Sequence, residues 1–386
     1  MPAEKIEIFK RECIIRNSSE IIITENGGAV LYKVSDNSKF MTSNIFAARI
    51  MEYAPQLHSY FVDIGDERRA LLNAPEGAHR IGSFCAVQIA APARGKKGAC
   101  VTSGIRLTGV YAVLLPTEDE PSVNISTKIK DGAVRERLAD AGESLRPESA
   151  LILRTQAASA SAVEIAEEYE KLVSVWHGIQ RRLQSAAADC APGLLFAEDP
   201  LVSALLKYPL ESYSEICADT TEPLERLGAA FPALKGRLRF LPKHIFAVKS
   251  VDSVKTSLLG RRVFLKSGAD IVIEKTEALT VIDVNTGKSA ASYKEVNFEA
   301  AEEIMRQLRL REIGGIILCD FIGMERCDGE ALTAYMRELA LRASHACAPT
   351  YTRFLEPPME IACRAAANFA GCEVAFEGGY EGAERR

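Results

Sequence analysis

Two aspartates are the first residues whose type and spacing suggest chemistry. Asp283 closes the apolar run LTVI, Asp320 closes GIILC, and Asn285 follows the first acid by two residues. Carboxylates at the ends of neighbouring strands offer hard oxygen donors. They suit Mg²⁺, which takes one or two carboxylates and keeps waters for a phosphate substrate. Residues i and i+2 of a strand share a face, so Asn285 is placed to brace what Asp283 holds. A strand-end acid is also a common helix N-cap or turn residue, and spacing alone leaves both readings open. The adjoining NTGKS segment (Asn285–Ser289) is not a phosphate-binding P-loop, because the Gly required ahead of Gly-Lys is Ile282.

The elements around the acids must bring them together. RVFLKSG and ADIVIEKTEALTVIDVN read as strands joined at a Gly turn. A helix with Phe298, Ala301, Ile304, Met305 and Leu308 on its apolar face follows, with Asn297 as the expected cap. GIILCDFIGM reads as a buried strand, and Asp328–Ser344 as a second helix. Strand, helix, strand makes a parallel pair, and ligands bind at such an edge. Upstream, residues 1–37 read as a strand pair with a turn at Gly27 and Gly28. Residues 38–118 are a run of short strands, from NIFAARIMEY to VYAVLLP, with no helix between them, as in a small β-barrel of OB type. Beyond Pro121, Asp131–Ala141 and Ala160–Ala188 have helical composition and flank a strand-like SALILRTQ.

Composition bounds the function class. The chain has 386 residues, 47% of them apolar, which excludes a mainly disordered protein. No apolar run approaches the roughly 20 residues of a membrane span, and the charged N-terminus is not a secretory signal. Ten cysteines without a C-x-x-C pair, several of them in apolar strands, fit a reduced compartment, so the expected location is cytoplasmic, and they give no support for zinc. The net charge is −5, yet Lys235–Lys275 carries ten basic residues against three acids, a local balance compatible with a nucleic-acid partner.

ALTVIDVN and FEAAEEIMRQLRLREIGGIILCDFI together resemble the catalytic segment of the ribonuclease E/G family, and the likeness includes both acids and the RQLRLR-x-x-GG run. Upstream, FVDIGDERRALL resembles that family's S1 text, RGKKGACVT its basic loop and LILRT the strand of its 5′-end sensor. The resemblance implies an α/β multi-subdomain fold, an RNase H-like plus DNase I-like catalytic core with an inserted S1 barrel and a 5′-sensor subdomain. In this sequence it implies RNase H-like parts at 1–37 and 203–258, the S1 barrel at 38–118, the sensor at 119–202 and the DNase I-like part at 259–386.

Carried over by position, the resemblance assigns Mg²⁺ to Asp283 and Asp320, with Asn285 in support. It assigns RNA binding to Phe61 and Lys97, and a 5′-phosphate to Arg154 and Thr155; Arg364, one residue beyond Cys363 at the position of a phosphate-contacting Arg of the family, is the candidate to replace that Arg in RNA binding. The chemistry is consistent: an exposed Phe on an OB-type sheet stacks on bases, and Arg grips phosphate through paired, charge-assisted hydrogen bonds. Taken alone, Phe61 also reads as core and Arg154 as a surface ion pair. Departures are visible at Leu71, where the family has a second aromatic, at Gly323, where it has an acid, and at Cys363, where it has an Arg. The family's zinc-binding link has no counterpart in the sequence, so any oligomer is expected to form without it. The implied activity is Mg²⁺-dependent cleavage of single-stranded RNA (rRNA or mRNA) to 5′-phosphate and 3′-hydroxyl ends. The alternative is an RNA-binding protein of the same fold with weak or lost cleavage.

Overall fold

The computed structural model describes residues 10–34, 39–93, 97–118, 120–242, 258, 260–276, 279–311, 313, 316–346, 360–365 and 374–376. The chain divides into two compact units, one made of residues 1–36 with 207–386 and the other of residues 37–206.

The second unit contains the predicted barrel. Strands Ile45–Ala54, Ser59–Asp63, Ala70–Asn73, Cys100–Thr102 and Phe84–Ala91 pair in that order, and the last closes back on the first. Alternation sends Tyr60, Val62, Ala70, Leu72, Val87 and Ile89 into the barrel core. Gly98 is required by close approach: a Cβ there would lie 1.9 Å from the Arg69 carbonyl oxygen. The run VYAVLLP is not a barrel strand, contrary to the sequence-based expectation. Its Ala112–Leu115 segment pairs antiparallel with Ala150–Leu153 in a separate four-stranded sheet. Helices Gly132–Ser144 and Ala162–Ala188 belong to this unit, and the second starts at a reciprocal Ser161–Glu164 cap.

The first unit has two sheets. Arg11–Arg16, Glu20–Glu25 and Gly28–Val34 form a three-strand meander rather than a single pair, and Tyr213–Ala218 and Leu238–Phe240 extend it in parallel. The six-stranded sheet runs Arg262–Phe264, Asp270–Lys275, Leu279–Asn285, Ile316–Phe321, Glu360–Ala365, Val374–Phe376. Its middle pairs are parallel, and helices Tyr293–Leu310 and Arg326–Ala346 make the crossovers. Both helices pack on one face: Val296, Ala300, Ile304, Met305, Leu332 and Met336 share a core with Ile271, Ile282, Val284, Ile317, Cys319 and Phe321.

The first of these helices starts earlier than expected. Ser292, not Asn297, is its cap: the Ser292 hydroxyl accepts from Glu295 N, while the Glu295 carboxylate accepts from Ser292 N. This S-x-x-E pattern satisfies two end-of-helix donors at once, and Asn297 is left as a fully buried residue of the second turn.

Candidate active site

Because the helices cover one face of the six-stranded sheet, the odd-numbered residues of Leu279–Asn285 lie on the other. The burial alternates accordingly, with Thr280, Ile282 and Val284 buried and Asp283 exposed. Asp320 sits between buried Cys319 and Phe321, so it shares the face of Asp283. The two acids are direct register partners on adjacent parallel strands, a separation of about 4.8 Å between backbones. The expectation that a crossover would bring them together is met in the register itself.

Hydrogen bonding separates the two carboxylates. Asn285 Nδ2 donates to Asp283 Oδ2 at 3.0 Å, which orients that carboxylate. Asp320 Oδ1 is buried and has no partner among the described residues. A buried carboxylate oxygen without a donor is costly, on the order of 1–3 kcal/mol or more, and folded proteins keep few such atoms. An orphaned anionic oxygen beside a second carboxylate, with an amide bracing the latter, is a donor set that a hard divalent cation satisfies. Among the described residues no group of three or more His, Cys, Asp or Glu side chains is arranged to hold a metal.

Asn297 supports the site, a role missed in the sequence reading. Its Nδ2 donates to the Ile322 carbonyl at 2.7 Å, and its Oδ1 accepts from Ile322 N at 3.1 Å. This pair ties the helix to the chain two residues past Asp320. The readable signal was a polar residue on the helix's apolar stripe. Arg364 is the register partner of Asp320, while Cys363 pairs with Cys319. The strand therefore sets Arg364 in line with the acids.

In the other unit, Phe61 lies between buried Tyr60 and Val62, is only half-buried, and stays outside the barrel core. Its neighbour across the sheet is Leu71, whose partner in turn is Cys100. Exposed Lys97 leads into that third strand. The structure thus presents the Phe61 ring on the barrel's outer wall.

Arg154 and Thr155 differ from each other. Arg154 is 3% exposed, and its guanidinium donates to the carbonyls of Gly109 and Leu206. Thr155 is exposed, with its hydroxyl 3.3 Å from that of Ser126. Nearby, the Glu168 carboxylate accepts from the backbone N–H groups of Val110, Tyr111 and Ala112 at 2.8, 2.6 and 2.9 Å. Burial nevertheless pushes its pKa up, against the pull of these bonds and of Arg154.

No helix among the described residues is long and apolar enough to cross a membrane. A profile of the ribonuclease E/G family matches residues 106–345. Ribonuclease E of Escherichia coli (strain K12) is 34% identical over 318 residues, which cover 73% of this chain and 29% of that protein. A putative ribonuclease E of Buchnera aphidicola subsp. Baizongia pistaciae is 32% identical over 75% of this chain and 78% of its own length. Ribonuclease G of Salmonella typhimurium is 28% identical over 84% of the chain and 73% of its own length. The chain thus spans under a third of the Escherichia coli protein.

Proposed function

Since the chain belongs to the ribonuclease E/G family, we propose that it is a Mg²⁺-dependent endoribonuclease acting on single-stranded RNA. The observation that carries this reading is the register pairing of Asp283 with Asp320, together with the unsatisfied, buried Asp320 Oδ1. The two acids would hold the cation. When bound, Mg²⁺ supplies a Lewis acid to the phosphodiester and lowers the pKa of an attacking water.

The chain's own residues do the rest. Asn285 holds the Asp283 carboxylate in orientation, and Asn297 fixes the backbone beyond Asp320. Arg364, whose backbone is in register with Asp320, would supply a positive charge for the phosphate. Phe61 stacks on a base at the barrel wall and Lys97 pairs with a phosphate. Thr155 offers a hydroxyl to a 5′-monophosphate, with the fixed charge of buried Arg154 behind it. In-line attack by water leaves a 5′-phosphate and a 3′-hydroxyl, as expected in rRNA processing or mRNA decay in the cytoplasm.

The subdomain division proposed with this reading has RNase H-like parts at 1–37 and 203–258, an S1 segment at 38–118 whose last strand, Ala112–Leu115, pairs outside the barrel with Ala150–Leu153, a sensor at 119–202 and a DNase I-like part at 259–386. The test is incubation of a labelled, 5′-monophosphorylated single-stranded RNA with purified protein, with Mg²⁺ or EDTA. Cleavage in Mg²⁺ alone supports the enzyme. Binding without cleavage selects the RNA-binding alternative.

A further inference from the structure

The exposed face of the acid-bearing sheet continues beyond the acids. The strand Arg262–Phe264 pairs antiparallel with Asp270–Lys275, with Phe264 opposite Asp270, and Asp270 is in turn opposite Asn285. Arg262 is opposite Val272, which is opposite Asp283. Two parallel rows therefore cross the sheet: Phe264–Asp270–Asn285, and Arg262–Val272–Asp283–Asp320. Val263, between the two outer residues, is buried in the core under the helices. Arg262 and Phe264 consequently project on the face of the acids.

Their exposure is unequal to the rest of that face. Phe264 is 75% exposed, the most of any large apolar side chain among the described residues. Asp270 is 3% exposed. The turn after Asn285 lies over it, and a Cβ on Gly287 would be 3.4 Å from Asp270 Oδ1. That same oxygen accepts from Arg262 Nη1 at 3.4 Å. The buried anion thus pairs with a terminal nitrogen of an exposed guanidinium, two positions along the strand from the exposed ring. Phe264 is two strand spacings from Asn285, roughly 10 Å, within reach of a nucleotide near the phosphate at the acids.

We propose that Phe264 and Arg262 form a nucleotide subsite beside the acid pair: the Phe264 ring stacks on a base of the RNA strand near the cleaved bond, and Arg262, held by Asp270, contacts its phosphate. An aromatic face accepts any base. A guanidinium offers several N–H donors in a fixed fork, so one ion pair leaves others free for a phosphate. An aromatic ring beside a paired cation, in register with carboxylates suited to a metal, complements a nucleotide's flat base and anionic backbone together. This subsite rests on the endoribonuclease reading, and its test is separable from it.

The experiment uses the full chain and short single-stranded RNAs, in each of which one nucleotide is replaced by 2-aminopurine. In EDTA, so that no cleavage intervenes, one position near the cleavage site is expected to be quenched by the wild-type protein and by Phe264→Trp. Phe264→Ala should lose that quenching and bind about tenfold more weakly, while keeping its melting temperature because the ring is exposed. Arg262→Gln should weaken binding less and lower its salt dependence. With Mg²⁺, replacing the stacked base by an abasic residue should cost wild type as much as Phe264→Ala does, and the two losses should not add. Unchanged quenching and affinity in Phe264→Ala would overturn the subsite, even if Asp283 and Asp320 prove essential for cleavage. A change in sedimentation alone on Phe264→Ala would equally overturn it and mark the face as a contact between copies. If wild type cleaves no RNA, the endoribonuclease reading fails by itself, and the quenching still decides whether the ring takes a base.

Discussion

Asp320 and Arg154 are both charged groups near a strand end with buried atoms, and they meet opposite fates. Asp320 keeps a buried oxygen with no donor among the described residues, whereas the Arg154 guanidinium is committed to the carbonyls of Gly109 and Leu206. An unsatisfied buried carboxylate oxygen is destabilising in the folded chain, and beside a second, register-paired carboxylate it suits a cation bound from outside the chain; Asp270 Oδ2 is also unsatisfied, but its carboxylate pairs with Arg262. A buried cation bonded to backbone carbonyls is explained by the fold that contains it. The contrast sets a carboxylate proposed to act in chemistry against a guanidinium that also ties the fold together; strand-end spacing points to the first, and only the family resemblance points to the second.

The largest effect expected from breaking this contrast is at the acids. Asp283→Asn or Asp320→Asn should lower Mg²⁺-dependent cleavage by about 10²–10³-fold, since Lewis-acid stabilisation is worth several kcal/mol. In EDTA, Asp320→Asn should melt at or above the wild-type temperature, because it removes one of two like charges held on adjacent strands, one oxygen of which is buried without a donor. A large fall in melting temperature would mean that the carboxylate is structural. Arg154→Ala should behave in the opposite way, losing about 2–3 kcal/mol of stability in denaturant titrations as two carbonyls lose a charged donor. Thr155→Val provides the cleaner sensor test. It should leave stability nearly unchanged and erase any rate advantage of 5′-monophosphorylated over 5′-hydroxyl RNA; an advantage that persists would place the sensor elsewhere.

At the barrel wall, Phe61→Ala should weaken single-stranded RNA binding by about 1–3 kcal/mol with little change in melting temperature. Lys97→Ala should mainly flatten the salt dependence. A drop in stability with unchanged affinity would assign Phe61 to packing.

The smallest effect concerns Glu168. Burial raises its pKa above the ordinary 4.5 in the folded protein, so the native state binds its proton more tightly than the unfolded chain does. Its contribution to stability is complete below about 4.5 and is lost as pH rises through the raised value. The stability of wild type relative to Glu168→Gln should therefore fall as pH increases across that window. A difference independent of pH would show that the carboxylate titrates normally.

The acid pair was legible in the sequence because each Asp ends an apolar run, and a helix of crossover length lies between them. The barrel was legible from closely spaced short strands. Strand partners were not: VYAVLLP has the apolar text of a barrel strand, but its pairing with Ala150–Leu153 depends on contacts far along the chain. Asn297 stands where a cap would suit the apolar stripe, while the true start, Ser292 with Glu295, lies a turn earlier in polar text. The burial of Arg154 and the exposure of Phe264 were equally hidden. One reads as a polar strand end and the other as part of the apolar run RVFL, and only the packing of each sheet decides which face is covered.

The central claim is that the paired acids make this chain a Mg²⁺-dependent ribonuclease. It is tested most directly by the cleavage rate of a labelled single-stranded RNA across a Mg²⁺ titration, with Asp320→Asn measured beside wild type. The expected result is cleavage by wild type that rises with Mg²⁺ and is absent in EDTA, with almost none from the variant at any concentration. Equal rates for the two proteins, or undiminished wild-type cleavage in EDTA, would contradict it.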